Sequence, residues 1–400
     1  MKIHKYIGLD VHKEKTTVAI AEGDRNGEVR HYGEVSSDLV TTERALRKIR
    51  GEDGVLHVAY EAGPSGFVLH RHLTRLGMEC AVVAPSKIPQ PKGVRQKTNR
   101  RDALQLARLH RAGELTAIHV PDAVDESVRE LTRCRSEASR ELKAAKQRLK
   151  SFLLRQGYHY QGKANWSEAH QRYLRELVLP LAALQSVLEE CLLAMAQATE
   201  RLTRLEELVA AQVPQWRMYP AVRALMCFRG FDLVAAATLV AEISEIHRFA
   251  HPGGLMAFLG LVPREKSTGD ERRLGGITKA GNSQARWILI EAAQHAGKTP
   301  RVSAPLARRQ EGQPELYRRI AWKAQVRLHK RHWHLTCRGV MAGKVKVALA
   351  RELVGFVWDL LRQVPPPKAT PAARPAVSTP VSRSATRRPK PAPATSVLVG

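Results

Sequence analysis

The 400-residue sequence contains no Cys-x-x-Cys pair; its five cysteines (Cys80, Cys134, Cys191, Cys227, Cys337) are scattered and odd in number. That spacing excludes zinc ribbons and a disulfide framework and points to a reducing compartment. No apolar run reaches about 18 residues, and MKIHKYIGLD has no stretch long enough for a secretory core, so a soluble cytoplasmic protein is expected. No helical segment sets Lys and Arg on one face against bulky aromatics on the other, which argues against a membrane surface. A phosphate-cradling loop is missing too, because Gly63, Gly66, Gly253 and Gly254 lack the accompanying Lys and Ser/Thr. No internal repeat is visible. Acids are scarce: 38 Asp and Glu stand against 65 Lys and Arg, a formal charge of +27. A surface this basic expects a polyanion, and nucleic acid leads because its phosphates exchange condensed counterions for Lys and Arg.

Hydrophobic residues make up 44% of the chain, enough for real cores, and the length expects two or three domains. KYIGLDV, KTTVAIAE and VRHYGEV read as three strands, the last two joined by a turn at Gly23 to Gly27. A helix near 41–50, the strand VLHVAYEA, the helix HRHLTRLG, the strand ECAVVAP and a helix near 99–111 follow. Hairpin-linked strands followed by βαβα are the signature of an α/β sheet over 1–122. From 123 to 213 the apolar period turns helical, predicting two long antiparallel helices with a bend near 156–166, a coiled-coil region that either dimerises or folds back within one chain. Residues 214–364 read as a mainly helical unit holding a polar, glycine-rich loop at 263–282. Nine prolines, six Lys or Arg and no acid in 365–400 predict a disordered basic tail.

Asp10 ends the first strand and Glu61 the fourth. If those strands are neighbours, both carboxylates project at one sheet edge within reach of one cation. Asp102, at the start of the helix in KTNRRDALQLA, closes the site from the side, and Asn99 lies one turn earlier on the same face. Hard oxygen ligands suit Mg²⁺, which takes part of its coordination from water and substrate phosphate. The competing reading makes each such Asp a helix cap or turn residue.

The segment PREKSTGDERRLGGITKAGN sets Ser267 and Thr268 among Arg264, Lys266, Arg272, Arg273 and Lys279. A hydroxyl among cations is suited to attack on a phosphodiester, since the cations stabilise the charge that develops. A solvated loop with an incidental serine remains the alternative. Gly230, between two helical segments, reads on its own as a plain structural turn, with a helix-hairpin-helix-like turn whose N–H groups bind phosphate as the functional alternative. His329, His332 and His334 have no acid or Cys ligand pattern near them and read as part of a solvated or RNA-facing helix.

YIGLDVHKEKTTVAI, AYEAGPSGFVL and APSKIPQPKGVRQKTNRRDALQLARL together resemble the RuvC-like, DEDD-type domain of the IS110/IS1111 transposase family. GLVPREKSTG followed by GGITKAGN is similar to that family's C-terminal transposase domain, and IAWKAQVRLHKRHWHLTCRG and VKVALARELVGFVWDLL match its closing helices. The resemblance implies an RNase H-like fold and catalytic Mg²⁺ held by Asp10, Glu61 and Asp102, with Asn99 where the family has a further Asp. It implies Ser267 as a nucleophile that links covalently to DNA, with Thr268 as the competing alignment. Lys97, Arg100 and Arg101, with the five cations of the serine segment, are the expected nucleic-acid contacts. A structured noncoding guide RNA, DNA and a homo-oligomer, dimer or tetramer, are the implied partners, in a bacterial, nucleoid-associated setting. A composite site assembled from two protomers fits the long helical separation of the two regions. Two rivals stand beside this expectation: a catalytically inactive nucleic-acid-binding relative, because of Asn99, and an actin-like kinase, whose first strand also runs I-G-x-D but which needs a second phosphate loop.

Overall fold

The computed structural model describes residues 3–24, 26–89, 98–268 and 271–367, with 266–268, 271 and 272 described in backbone only. Lys97 and most of the 365–400 tail lie outside the described residues. Ile3–Val11 (β1), Lys15–Glu22 (β2) and Val29–Ser36 (β3) are followed by Leu39–Arg50 (α1), Gly54–Glu61 (β4), Val68–Arg75 (α2) and Glu79–Val83 (β5). The strands form one sheet of order β3-β2-β1-β4-β5, in which β2 alone runs against the others. Tight connections on either side of β2 force that reversal, whereas the helix-containing connections to β4 and β5 keep those strands parallel to β1.

The two faces of the sheet differ in bulk. Ile7, Leu9, Val18, Ile20, Leu56, Val58 and Tyr60 point to one face and form a core with Leu46 of α1 and Leu73 of α2. The opposite face is lined by Ala19 and Ala21, against which Ala103 and Ala107 of Asn99–Arg111 (α3) pack. Small residues on both sides bring the helix backbone down onto the sheet. Alternation along each strand therefore puts Tyr6, Gly8 and Asp10 of β1, with His57, Ala59 and Glu61 of β4, on the α3 side.

Ala123–Arg155 (α4) starts at an Asp122 cap whose carboxylate accepts from the Asp125 N–H at 2.7 Å. Glu168–Glu176 (α5) lies between α4 and Ala182–Gln212 (α6). Ion pairs Arg135–Glu206 and Arg201–Glu141 fix α4 and α6 as an antiparallel hairpin within one chain, one of the two arrangements the periodicity left open. Leu149, Phe152, Leu153, Leu174 and Leu188 make a small core at its far end.

The remainder comprises Tyr219–Leu225 (α7), Leu233–Ile243 (α8), Pro252–Phe258 (α9), Pro263–Thr268 (β6), Glu271–Ile277 (β7), Ser283–Ala293 (α10), Ala304–Gln310 (α11), Glu315–Cys337 (α12) and Ala342–Arg362 (α13). One apolar core joins α7, α8, α10, α12 and α13 with Val209 and Val213 at the end of the hairpin. The glycine-rich stretch departs from the expected loop: β6 and β7 pair antiparallel. Gly230 adopts φ +96°, and a Cβ there would meet the Ala292 carbonyl oxygen at 2.9 Å, so the turn between α7 and α8 needs glycine for both dihedral and space. Burial raises the thiol of Cys80 to about 12 and that of Cys227 to about 11, leaving both unreactive. Among the described residues no helix is long and apolar enough to cross a membrane.

Candidate active site

Register defines the acidic edge. Leu9 pairs with Tyr60 across the parallel β1–β4 ladder, so Asp10 and Glu61, each one residue further on, stand side by side at the carboxyl ends of adjacent strands. Asp10 is largely buried, its side chain 16% exposed, and its Oδ2 lies 3.1 Å from His12 Nε2. His12 was not among the residues expected at the site. Its signal was available in the sequence: it lies two residues beyond Asp10, the spacing at which strand side chains share a face.

The third expected acid is brought to the same end by α3. The Tyr6 ring meets His110 edge-on at 5.5 Å, while a Cβ on Gly8 would overlap the Ala103 carbonyl and stand 2.5 Å from the Ala107 nitrogen. The last turn of α3 thus lies over the middle of β1 and its first turn over the strand's carboxyl end. Thr98 caps that first turn, its Oγ1 accepting from the Arg101 N–H at 3.4 Å, and Asp102 and Asn99 lie in the turn itself. Asn99, Arg100 and Arg101 are exposed, Asp102 partly so. Among the described residues no group of three or more His, Cys, Asp or Glu side chains stands close enough to hold a metal ion. The fold brings Asp10 and Glu61 together and directs the Asp102 turn toward them without gathering all three carboxylates.

The serine segment lies in the second sheet. Ser267 pairs with Arg272, Thr268 with Glu271, and Lys266 with Arg273. The hairpin's base is anchored: Thr278 N–H donates to the Val262 carbonyl at 2.8 Å, Lys279 N–H to Gly260 at 3.1 Å, and Asn282 N–H to Phe258 at 3.1 Å. Such close apposition requires special backbone, with Lys279 at φ +55° and Gly281 at φ +111°, where a Cβ would overlap the Phe258 carbonyl. Arg264 and Arg273 on this hairpin, and Lys279 just beyond it, are exposed cations.

A second missed residue lies beneath it. Glu242 is almost wholly buried, yet Arg133 of α4 grips it with two bonds, Nε to Oε1 at 2.7 Å and Nη2 to Oε2 at 3.0 Å. Asn282 donates to Glu242 Oε2 at 2.6 Å and accepts from the Ala285 N–H at 2.9 Å, capping α10. Those bonds tie α4, α8 and the hairpin's exit into one polar joint. Only the oddity of a lone acid in the apolar run LVAAATLVAEI could have flagged it. Of the histidines expected on a solvated helix, His329 is instead half-buried, with Nδ1 2.9 Å from the Ala296 carbonyl.

Comparison with known proteins follows the same two regions. Residues 7–158 match the DEDD-type IS110 transposase model and residues 222–307 the model described as Transposase IS116/IS110/IS902 family. Transposase y4qE of Sinorhizobium fredii is 43% identical over 358 residues, covering 90% of this chain and 88% of that protein. The chain belongs to the IS110 transposase family. The transposase for insertion sequence element IS1533 of Leptospira borgpetersenii is 29% identical over 84% of this chain and 97% of its own length. That for IS1111A of Coxiella burnetii is 23% identical over 74% and 78%. Membership in the IS110 family implies DNA binding, DNA cleavage and rejoining in general, and use of a divalent metal by the DEDD domain.

Proposed function

We propose that this IS110-family transposase is a Mg²⁺-dependent DNA recombinase that cuts and rejoins strands through Ser267. The strand order β3-β2-β1-β4-β5 with β2 reversed supports an RNase H-like reading of the first region. The observation that carries the proposal is the placement of Asp10 and Glu61, each one residue beyond the paired Leu9 and Tyr60, at the carboxyl ends of adjacent strands, under the first turn of α3. That donor set fits a hard cation: its charged donors are the Asp10 and Glu61 carboxylates, with the His12 imidazole hydrogen-bonded to Asp10, and Mg²⁺ is commonly held by one or two carboxylates with water and phosphate completing its shell. Asp10 and Glu61 would hold it, with Asp102 and the Asn99 amide closing from α3. A bound Mg²⁺ supplies charge to polarise the scissile phosphate.

The chain's own residues do the rest. His12 orients the Asp10 carboxylate through its hydrogen bond. Exposed Arg264 and Arg273 on the β6–β7 hairpin, with Lys279 just beyond it, draw the DNA backbone to it, and Arg100 and Arg101 do so at α3. Ser267 Oγ attacks phosphorus: the Oγ–P bond forms as the P–O bond to the departing strand breaks, and the serine proton passes through water to that strand's oxygen, which leaves as a hydroxyl and yields a phosphoserine link that a second strand's hydroxyl reverses. Backbone register favours Ser267 over Thr268, because its cross-strand partner is Arg272 whereas that of Thr268 is Glu271. An element-encoded structured RNA and a homo-oligomer that sets one protomer's serine against its partner's carboxylates complete the proposal, in keeping with the charge of +27. Strand transfer by wild type, Asp10→Ala, Ser267→Ala and Asn99→Asp tests it: both alanine variants are expected to be inactive. An inert wild type restored by Asn99→Asp would identify an inactivated relative instead.

A further inference from the structure

Where α4 ends and the chain turns back toward α5, a groove of about 860 Å³ opens. Its floor is aromatic. Tyr160 lies 5.3 Å from Tyr173 and 4.6 Å from His170, ring to ring, and Trp166 stands edge-on to His170 at 5.1 Å. One wall is cationic: Lys143, Lys146 and Lys150 recur three and four residues apart and so share a face of α4. Lys146 Nζ lies 5.1 Å from the Trp166 ring centroid. Among the described residues, none of those lining the groove is acidic.

Trp166 is held in an unusual state. Its φ of +68° is left-handed, rare for a bulky side chain, and its backbone N–H donates to His170 Nδ1 at 2.9 Å. Burial, reinforced by the Lys150 charge, keeps His170 below its ordinary range, which preserves that acceptor nitrogen. Ser167 caps α5 by accepting from the His170 N–H at 3.3 Å. The local fold therefore fixes a strained, half-buried indole beside a row of ammonium groups, and backbone strain of this kind concentrates where ligands are gripped.

Ring faces beside spaced cations fit one ligand chemistry, an unpaired base that stacks while its strand's phosphates meet the lysines. A duplex buries its base faces in its own stack and offers only phosphates. We infer that this groove captures an unpaired segment of a nucleic-acid strand, its base against Tyr160, Trp166 and Tyr173 and its phosphates on Lys143, Lys146 and Lys150. The inference rests on the nucleic-acid chemistry proposed above and assigns a strand-binding site apart from both catalytic regions.

The full chain is photo-crosslinked to a strand of about 12 nucleotides carrying one thio-substituted pyrimidine, as RNA, as DNA, and as the same strand within a duplex. Adducts are mapped by peptide mass spectrometry. Adducts within 158–173 are expected from the single strands and not from the duplex. Replacing the exposed lysines, Lys143→Ala with Lys150→Ala, lowers their yield by about fivefold or more, with adducts elsewhere on the chain unchanged. Adducts with RNA alone name an RNA as the source, adducts with DNA alone a melted DNA strand, and adducts with both a site indifferent to the sugar. Absence of adducts in 158–173 while other segments crosslink, equal adducts from the duplex, a yield indifferent to the lysine changes, or a protein–protein adduct there instead each overturns the inference and leaves the catalytic reading standing. Absence of adducts along the whole chain overturns both.

Discussion

Gly8 and Ala103 are in direct backbone apposition: no side chain fits between β1 and α3, because a Cβ on Gly8 would overlap the Ala103 carbonyl. That contact sets the first turn of α3 over the end of the strand that carries Asp10. Gly8→Ala is accordingly expected to push the helix off the sheet, with a stability loss of about 1–3 kcal/mol and a larger proportional loss of strand transfer. Urea unfolding beside strand-transfer assays of the same preparation checks this. Full activity in a stable Gly8→Ala protein would show that α3 need not lie so close.

The Arg133–Glu242 pair links the α4–α6 hairpin to the helix beneath the serine segment. Removing the guanidinium strands a buried carboxylate. Arg133→Met is expected to destabilise the chain by about 3 kcal/mol, near the lower end for broken buried pairs because the Arg133 head is partly exposed. Adding Glu242→Gln should recover part of that loss, since no charge is then left buried. Thermal unfolding of the single and double variants measures the coupling.

Acid sensitivity follows from five histidines. Burial is the first cause that lowers His70, His110, His119, His170 and His295 below the ordinary value of 6.5. The unfolded chain therefore takes up protons before the folded one as pH falls. Stability is full above pH 6.5 and is lost progressively toward the lowered folded values. The denaturant midpoint should be lower at pH 5.5 than at pH 7.5, and His110→Gln should shrink that difference. A midpoint that rises on acidification contradicts the assignment.

Asn99 lies in the first turn of α3, one turn before Asp102. An aspartate there adds charge to the acidic edge, so Asn99→Asp is expected to tighten divalent-ion binding by up to about tenfold, about 1.4 kcal/mol. Titration with Mn²⁺, read by its broadening of nuclear resonances near Asp10 and Glu61, follows this directly. Unchanged affinity would place Asn99 outside the ion's reach.

Much of the sheet was legible because its signals are local. KTTVAIAE and VLHVAYE are short apolar, β-branched runs between turn residues, and Asp38 announces α1 by capping it, its carboxylate accepting from the Thr41 N–H at 2.8 Å. Asp10 and Glu61 could be placed at strand ends for the same reason. The β6–β7 pairing was not legible, since PREKST and ERRLGGI have little β-branched or aromatic content and are held by the anchorage of 278–282 to 258–262, which no local pattern reveals. Glu242 escaped notice because its partner lies on α4, more than a hundred residues away in sequence. The intrachain choice for the α4–α6 hairpin depended likewise on ion pairs such as Arg201–Glu141, which an apolar period does not encode.

Trapping the covalent protein–DNA intermediate and locating the modified residue by peptide mass spectrometry tests the proposed chemistry most directly. The adduct is expected on Ser267 in the wild type, absent from Ser267→Ala and absent from Asp10→Ala, which keeps the serine but loses the carboxylate. An adduct that persists in Ser267→Ala, or that forms undiminished without Asp10, would contradict a shared site of serine and acids.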